Sequence, residues 1–219
     1  MLLMLYIVST PIGNLEDITL RAIRILKEAD FIAAEDTRHV RILLDKYEIK
    51  TKVISFHSHS SASKADSIVE RMKNGEVGAL VSDAGTPGIS DPAYALITRA
   101  IEANIKISPI PGPTALLASL VVSGKRMNNF VFLGFLPLKK GRQTLLKSLN
   151  EEDRTVIFYE SPHRILKTLN QLLEFLGDKD IVICREMTKL HEEVLRLKTS
   201  EAIEHFENKK PKGEFTVII

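Results

Sequence analysis

The sequence is poor in cysteine and in long apolar runs. Its single cysteine, Cys184, excludes an internal disulfide and favours a reducing compartment. Cys184 lies in the apolar run 180–185, so we expect a small buried side chain rather than a nucleophile. The apolar opening 1–8 is far shorter than the roughly 20 residues that span a bilayer, and it lacks the flanks of a secretory signal. We expect a soluble, cytoplasmic protein.

Several common functional signatures are also absent. The sequence contains neither the GxxxxGK[ST] of a P-loop nor the GxGxxG of a dinucleotide fold, and its loops show no Ser–His–Asp order. His57 and His59 lack a third spaced ligand, so we predict no metal site. The formal net charge is only +2, which neither requires nor excludes a nucleic-acid partner.

Short apolar runs alternate with segments of helical period, which predicts an α/β fold. The stiff segment Pro109–Pro113 marks a domain boundary. We predict an N-terminal α/β domain with a parallel sheet over 1–110 and a C-terminal α/β domain with a mixed sheet over 111–219. The predicted strands are 2–8, 31–34, 53–56, 77–81, 105–110, 130–135, 155–159, 180–184, 193–197 and 214–219. The predicted helices are 18–29, 38–47, 62–74, 92–103, 114–122, 141–149, 162–176 and 200–208.

The most informative segment is Leu80–Pro92, LVSDAGTPGISDP. An apolar run ends here in a loop rich in glycine and proline, and a helix pattern begins at Pro92. Glycine lets the backbone approach a ligand closely, and Ser90 or Asp91 can cap the helix. Such loops are often only turns, but a strand, an open loop and a capped helix also form ligand sites in α/β proteins.

Other loops follow the same order of strand, loop and helix. Glu35 and Asp36 beside Arg38 are either a base with its orienting partner or the acidic first turn of a helix. Ser161 is the expected cap of a helix that has Pro162 at its first position. From the residues alone, we expect a cleft between two α/β halves that holds a medium-sized organic cofactor.

Taken together, the loops resemble one family over essentially the entire chain. It is the ribosomal RNA small subunit methyltransferase I group of the tetrapyrrole-methylase superfamily. Where porphyrinoid-modifying members tend to have GDP, this chain has Gly85-Thr86-Pro87, which favours the RNA-modifying branch. Members usually continue beyond the strand matching 213–219. The motifs, in chain order, are VSTPIGNLEDIT, AAEDTRH, SFHSHS, LVSDAGTPGISDP, PIPGPTA, FYESPHR and REMTKLHEE.

The resemblance implies two α/β domains of the tetrapyrrole-methylase type, a homodimer, and S-adenosyl-L-methionine in the cleft between the domains. It implies methyl transfer to the ribose 2′-hydroxyl of a decoding-region cytidine in 16S rRNA or the 30S subunit. The residues that it places at the cofactor are Pro11, Ala84, Gly85, Thr86, Ile89, Thr114, Ala115, Tyr159, Glu160, Phe215 and Thr216.

A ribose hydroxyl is a weak acid, so a base would help its methylation. The candidate catalytic residues are Glu35, Asp36 and Glu192. RNA phosphates call for basic side chains. The candidate RNA-binding residues are Arg38, Lys139, Lys140, Arg142, Arg164, Arg185 and Lys189, with Lys209, Lys210 and Lys212 as a further basic cluster.

Two other functions stay open at this point. One is C-methylation of a tetrapyrrole, although a chain without tryptophan and with 6% aromatic residues offers little to stack against a macrocycle. The other is a ribosome-associated module that binds the cofactor without turnover. Methyl transfer into 30S subunits, into naked rRNA and into a porphyrinogen separates the three functions.

Overall fold

The computed structural model describes residues 3–57, 60 and 62–219. The chain divides into two compact units, Met1–Thr114 (unit 1) and Ala115–Ile219 (unit 2). The sequence places its boundary a few residues earlier, after residue 110. Across the described residues, no helix combines the length and the apolar character needed to cross a membrane.

Unit 1 is built around a parallel sheet with the strand order β3-β2-β4-β1-β5. Its strands are Met4–Val8 (β1), Phe31–Ala34 (β2), Lys52–Ser55 (β3), Gly78–Val81 (β4) and Lys106–Ile110 (β5). Its helices are Leu20–Glu28 (α1), Thr37–Lys46 (α2), Ala62–Lys73 (α3) and Ala93–Glu102 (α4).

Both faces of the unit 1 sheet are covered, which explains why its strands are almost continuously apolar. Ile32 and Ala34 pack with α1 and α2 in one core cluster. Phe31 and Ala33 pack with α3 and α4 in another. Because successive strand residues point to opposite faces, the two clusters lie on opposite sides of the sheet. Because the five strands run parallel, the loops that follow them all leave the sheet at the carboxyl ends of the strands.

Unit 2 contains a mixed sheet with the order β6-β7-β10-β8-β9, in which only β6 and β7 pair in parallel among the described strands. Its strands are Phe130–Phe135 (β6), Thr155–Glu160 (β7), Asp180–Arg185 (β8), Glu193–Lys198 (β9) and Phe215–Ile218 (β10). Its helices are Ala115–Ser123 (α5), Arg142–Ser148 (α6), Ile165–Leu176 (α7) and Thr199–Asn208 (α8).

One face of the unit 2 sheet packs on α6, α7 and α8 around Phe158, Leu169 and Val217. On the remaining face, the buried thiol of Cys184 donates to the Ser119 carbonyl of α5 at 3.8 Å. Burial raises the pKa of this thiol, so Cys184 is a buried packing residue, as expected. The α/β class and the parallel and mixed sheets that the sequence predicts are confirmed.

Among the helix starts, that of α7 differs most from its prediction. Helix α7 begins at Ile165 with Arg164 as N-cap, not at Pro162 with Ser161 as cap. The Ser161 carbonyl accepts from the N–H groups of Arg164 and Ile165, each at 3.0 Å, which adds a turn before the helix. The Glu160 side chain accepts the Ser161 N–H at 2.8 Å and thereby holds this turn against the end of β7.

Candidate active site

The loops after β1 and β4 of unit 1 are joined through their backbones. Thr10 donates to the Gly85 carbonyl at 2.9 Å, and Gly85 donates to the Thr10 carbonyl at 3.0 Å. The Ser9 and Thr86 hydroxyl oxygens lie 2.8 Å apart, and the Thr86 hydroxyl donates to the Pro113 carbonyl at 3.3 Å. The structure therefore brings together three of the predicted motifs, at 9–14, 84–89 and 109–114, within unit 1.

Gly85 lies at the centre of this group and is required by its backbone. Its φ is +78°, a left-handed conformation that other residues rarely adopt. A Cβ at this position would lie 3.5 Å from Ile12, 3.8 Å from the Pro113 carbonyl and 4.0 Å from Thr114. These are ordinary van der Waals distances, so the left-handed backbone, rather than a lack of space, is what requires glycine here. Nearby, helix α4 begins at Ala93 with Pro92 as N-cap, so the predicted cap at Ser90 or Asp91 is wrong; the Asp91 carboxylate, one residue earlier, accepts from Gly88 and Ala93.

A group of carboxylates lies where β2 and β4 end. The Asp36 N–H donates to the Asp83 carboxylate at 3.0 Å, which connects the two strand ends. Burial raises the pKa of the Glu35 carboxyl, and the charges of Asp83 and Asp91 raise it further. Glu35 therefore holds a proton more readily than an ordinary glutamate.

Asp36 has the opposite environment. Hydrogen bonds from the Arg38 guanidinium and from the Arg38 N–H hold the pKa of its carboxyl well below its usual range. It also caps α2, which is one of the two alternatives that the sequence left open. Sequence reasoning missed Asp83; its position immediately after β4, at the same sheet edge as Glu35, is the signal that points to it.

In unit 2 the predicted cofactor residues of three elements are neighbours. Tyr159 pairs with Thr216 across β7 and β10, and Glu160 pairs with Phe215. The Tyr159 hydroxyl accepts the N–H of Leu116, in the first turn of α5, at 3.0 Å. The start of α5 at Ala115 is thus fixed against the end of β7.

Glu160 is 1% exposed and belongs to a buried charged cluster. Its carboxylate accepts from Arg164 at 2.6 Å and from the Thr168 hydroxyl at 2.6 Å. Arg142 is 5% exposed and lies 3.8 Å from the same carboxylate. The Arg142 guanidinium donates to Thr168, to Gln171 and to the Pro137 carbonyl.

This placement corrects the prediction for Arg142. A guanidinium that is buried and satisfied by three protein acceptors has no donors directed at an RNA phosphate. Burial also lowers its pKa. Arg142 instead holds the segment before α6. Arg164 is half-buried and donates to Glu160 and to the Leu136 carbonyl, so it too is tied to the protein.

The connector between β8 and β9 is a network of paired charges. Arg185 donates to Glu193 at 2.8 Å, and Lys189 donates to Glu186 and Glu214 at 2.9 Å each. Burial opposes ionisation of Glu186, but the bonds from Lys189 and from the Glu214 N–H outweigh it and lower its pKa. Glu192 accepts the Thr188 N–H at 2.6 Å and is exposed.

The remaining predicted residues are at the surface. Arg38, Lys139 and Lys140 are exposed, as is Ile89, at 42%. His59 lies outside the described residues. In the part of the chain that the structure describes, no three His, Cys, Asp or Glu side chains are grouped so that they could hold a metal ion.

Known proteins are clearly similar to this chain. The family model described as Tetrapyrrole (Corrin/Porphyrin) Methylases matches residues 4–203. A protein of Thermotoga maritima named Ribosomal RNA small subunit methyltransferase I is 51% identical over 98% of this chain and 97% of its own. Relatives of the same name from Synechocystis and Vibrio cholerae are 49% and 44% identical over 98% of this chain and 78% and 76% of theirs.

Solved structures share the fold at low sequence identity. A diphthine synthase superposes with a TM-score of 0.76 at 14% identity, covering 99% of this chain and 89% of that one. A cobalt precorrin-4 methyltransferase superposes with a TM-score of 0.74 at 16% identity, covering 99% and 94%. The resemblance drawn from the loops is confirmed: the chain belongs to the tetrapyrrole (corrin/porphyrin) methylase family, and several of its relatives there are named Ribosomal RNA small subunit methyltransferase I.

Proposed function

We propose that this protein methylates the 2′-hydroxyl of a ribose in small-subunit ribosomal RNA, with S-adenosyl-L-methionine as donor. The observation that carries the proposal is the 51% identity, over nearly all of both chains, to a relative named Ribosomal RNA small subunit methyltransferase I. The loops that the sequence resemblance singles out are also the ones that contact each other in unit 1. The specific nucleotide that we propose is a decoding-region cytidine of 16S rRNA.

The residues present suit such a donor. Adenine and a methionyl chain need a slot lined by small side chains and backbone hydrogen-bonding groups. The joined loops carry small residues of this kind, with Ala84 exposed and no side chain at Gly85. We propose that the donor is bound in unit 1 by Pro11, Ala84, Gly85, Thr86, Ile89 and Thr114, and in unit 2 by Ala115, Tyr159, Glu160, Phe215 and Thr216.

Of these, Glu160 takes part through its backbone. Its carboxylate is buried and already accepts from Arg164, Thr168 and the Ser161 N–H, so a ligand would reach it only by disrupting the buried cluster. Tyr159 contributes its ring and fixes the first turn of α5 through the Leu116 N–H. The bound donor supplies an electrophilic methyl group on a positively charged sulfur.

We propose Glu35 as the base that accepts the proton of the ribose hydroxyl. A base works best when its pKa lies near the working pH, and burial with two neighbouring carboxylates moves Glu35 in that direction. Asp36 is held ionised by Arg38 and caps a helix, so it is a poor proton acceptor. Glu192 is exposed and accepts the Thr188 N–H of its own connector.

For RNA phosphates we propose the exposed cations Lys139 and Lys140, together with Arg38, which is exposed but bonded to Asp36. Arg185 and Lys189 are paired with acids of their own connector, and they contribute only by exchanging those partners. The excess charge of the chain is small, so a homodimer that doubles the basic surface suits a large anionic substrate. The exposed apolar residues Leu117 and Val121 of α5 support such a dimer.

The test is transfer of labelled methyl groups to 30S subunits, naked 16S rRNA and a porphyrinogen. We expect label in the RNA of 30S subunits, resistant to alkaline hydrolysis at one position because a 2′-O-methyl group blocks cleavage there. Label in the porphyrinogen alone would overturn the proposal. Calorimetry showing donor binding without transfer to any acceptor would overturn it as well. Sedimentation of the protein measures the proposed dimer independently.

A further inference from the structure

The segment between β6 and α6, residues 136–141, exposes one apolar and two basic side chains after a buried Leu136. Leu138 is 71% exposed, Lys139 and Lys140 are exposed, and the aromatic ring of Phe135 just before the segment is 52% exposed. We name Phe135 together with residues 136–141 the aromatic–basic loop. It belongs to unit 2 and follows an edge strand, where β6 pairs only with β7.

The buried charged cluster holds the aromatic–basic loop through two hydrogen bonds to its backbone. Arg142 donates to the Pro137 carbonyl at 3.0 Å, and Arg164 donates to the Leu136 carbonyl at 3.2 Å. Glu160 binds Arg164 directly and Arg142 through Thr168. Burying charges costs free energy, so a cluster that fixes two loop carbonyls indicates that the conformation of this loop matters.

The Phe135 ring is itself fixed in orientation. It packs edge-on against Tyr159, with ring centroids 5.7 Å apart and an angle of 61° between the planes. The Arg164 guanidinium lies 6.0 Å from the Phe135 centroid, within range of a cation–π contact. An aromatic ring that is rigid, half-exposed and next to two free lysines combines the two components of a single-strand nucleic-acid site, a stacking surface and a basic flank.

We propose that Phe135 stacks against an unpaired base of the RNA substrate while Lys139 and Lys140 contact the flanking phosphates. The inference rests on the proposed function, and it specifies that function further: the substrate is recognised as unpaired RNA. Stacking does not read the sequence, so Phe135 selects single-stranded over duplex RNA. An interface with a second copy of the chain is less consistent with the two adjacent lysines, since lysine is depleted from protein–protein interfaces.

The absence of tryptophan from the chain gives a direct test. Phe135→Trp introduces a single indole at the proposed stacking position. Tyr94→Trp, at a 74% exposed position on α4, is the matched control. We expect an unstructured oligoribonucleotide to quench Phe135→Trp fluorescence in a saturable way, a duplex of the same strand to quench it weakly, and neither to quench Tyr94→Trp saturably.

Kinetics then separate stacking from other roles. Phe135→Ala should raise the KM for 30S subunits about tenfold to a hundredfold, with an unchanged Kd for S-adenosyl-L-methionine, and Phe135→Tyr should restore the wild-type KM. An unchanged KM in Phe135→Ala would overturn the inference. Weaker binding of S-adenosyl-L-methionine would overturn it too, because Phe135 would then belong to the donor site. A loss of dimerisation at constant KM would also overturn it. Methyl transfer by the wild-type protein is scored separately, so the proposed function can stand when this inference fails.

Discussion

The two units achieve a fixed site by different physical means. Unit 1 joins its loops through backbone hydrogen bonds and small side chains, with Gly85 paired to Thr10. Unit 2 fixes its loops through side chains: a buried glutamate with two arginines, and a tyrosine bonded to the start of a helix. We therefore expect that a side chain added at Gly85 lowers the ligand affinity of unit 1. Removal of a charged side chain should instead lower the stability of unit 2.

The largest effect on the methyl-transfer rate is expected from replacing the proposed base, Glu35, and comparing it with an acid of unit 2. Glu35→Gln in unit 1 should lower the methyl-transfer rate by about 10²–10⁴-fold, the usual contribution of a general base. Glu192→Gln in unit 2 is the matched control and should leave the rate within a few-fold of wild type, because Glu192 is exposed and bonds only its own connector. Single-turnover rates with 30S subunits measure both.

The raised pKa of Glu35 also predicts how the methyl-transfer rate and the stability change with pH. A base must be ionised, so the wild-type rate should rise with pH through a pKa above the ordinary 4.5. A folded-state pKa that is raised means that ionisation costs stability, which is lost as the pH rises through that pKa. At neutral pH, Glu35→Gln should therefore unfold at or above the wild-type temperature. A variant that is inactive because it is unfolded would contradict this.

The next largest effect is on the stability of unit 2. Glu160→Ala leaves Arg142 buried without its carboxylate, and breaking a buried pair in this way costs about 3–5 kcal/mol. Glu152 is the matched control, because it is an acid bonded to Arg154 at the surface, with its pKa held at about 2 by that bond. Glu152→Ala should have little effect. Urea unfolding followed by circular dichroism measures both variants, and equal losses would contradict the comparison.

Replacement of a loop glycine by alanine should affect donor binding only in unit 1. Gly85 and Gly124 have the same φ of +78°, but a Cβ at Gly85 would contact Ile12, whereas at Gly124 it would meet nothing within 4 Å. Alanine at either position should cost about 1–2 kcal/mol of stability through backbone strain. Only Gly85→Ala should also weaken donor binding, by about tenfold or more in calorimetry. A similar loss of affinity in Gly124→Ala would show that strain alone explains the effect.

Much of the fold could be predicted because local pattern and burial agree. The strands Phe31–Ala34 and Phe130–Phe135 have the predicted bounds, because a short apolar run between polar loops defines where a strand begins and ends. The start of α7 was missed, because Pro162 is equally suited to a turn and to a first helical position. The Glu160 carboxylate that accepts the Ser161 N–H is buried and bonded to Thr168 of α7, and the sequence does not show that packing.

The site divides in the same way. The loop motifs of unit 1 come together as their position after parallel strands predicts, because such strands end at one edge. Charged residues were harder to place, since sequence does not show which partners are available. Arg142 and Lys140 belong to one basic cluster in the sequence, yet one is buried and satisfied while the other is exposed. Asp83 escaped notice because its role depends on Asp36, which is distant in sequence.

The smallest effect is expected where unit 2 uses a neutral hydrogen bond, between the Tyr159 hydroxyl and the Leu116 N–H. Tyr159→Phe keeps the ring and its contacts with Phe132 and Phe135 but removes the acceptor of the Leu116 N–H. Because the helix start is only partly buried, the loss should be about 1 kcal/mol, and donor affinity should fall by about fivefold. Tyr47→Phe is a matched control in unit 1: it removes a similar bond, to the Leu15 carbonyl, away from the predicted site residues. Equal stability losses with a change of donor affinity in Tyr159→Phe alone would show that the hydroxyl positions the first turn of α5; unchanged affinity in both would exclude that role.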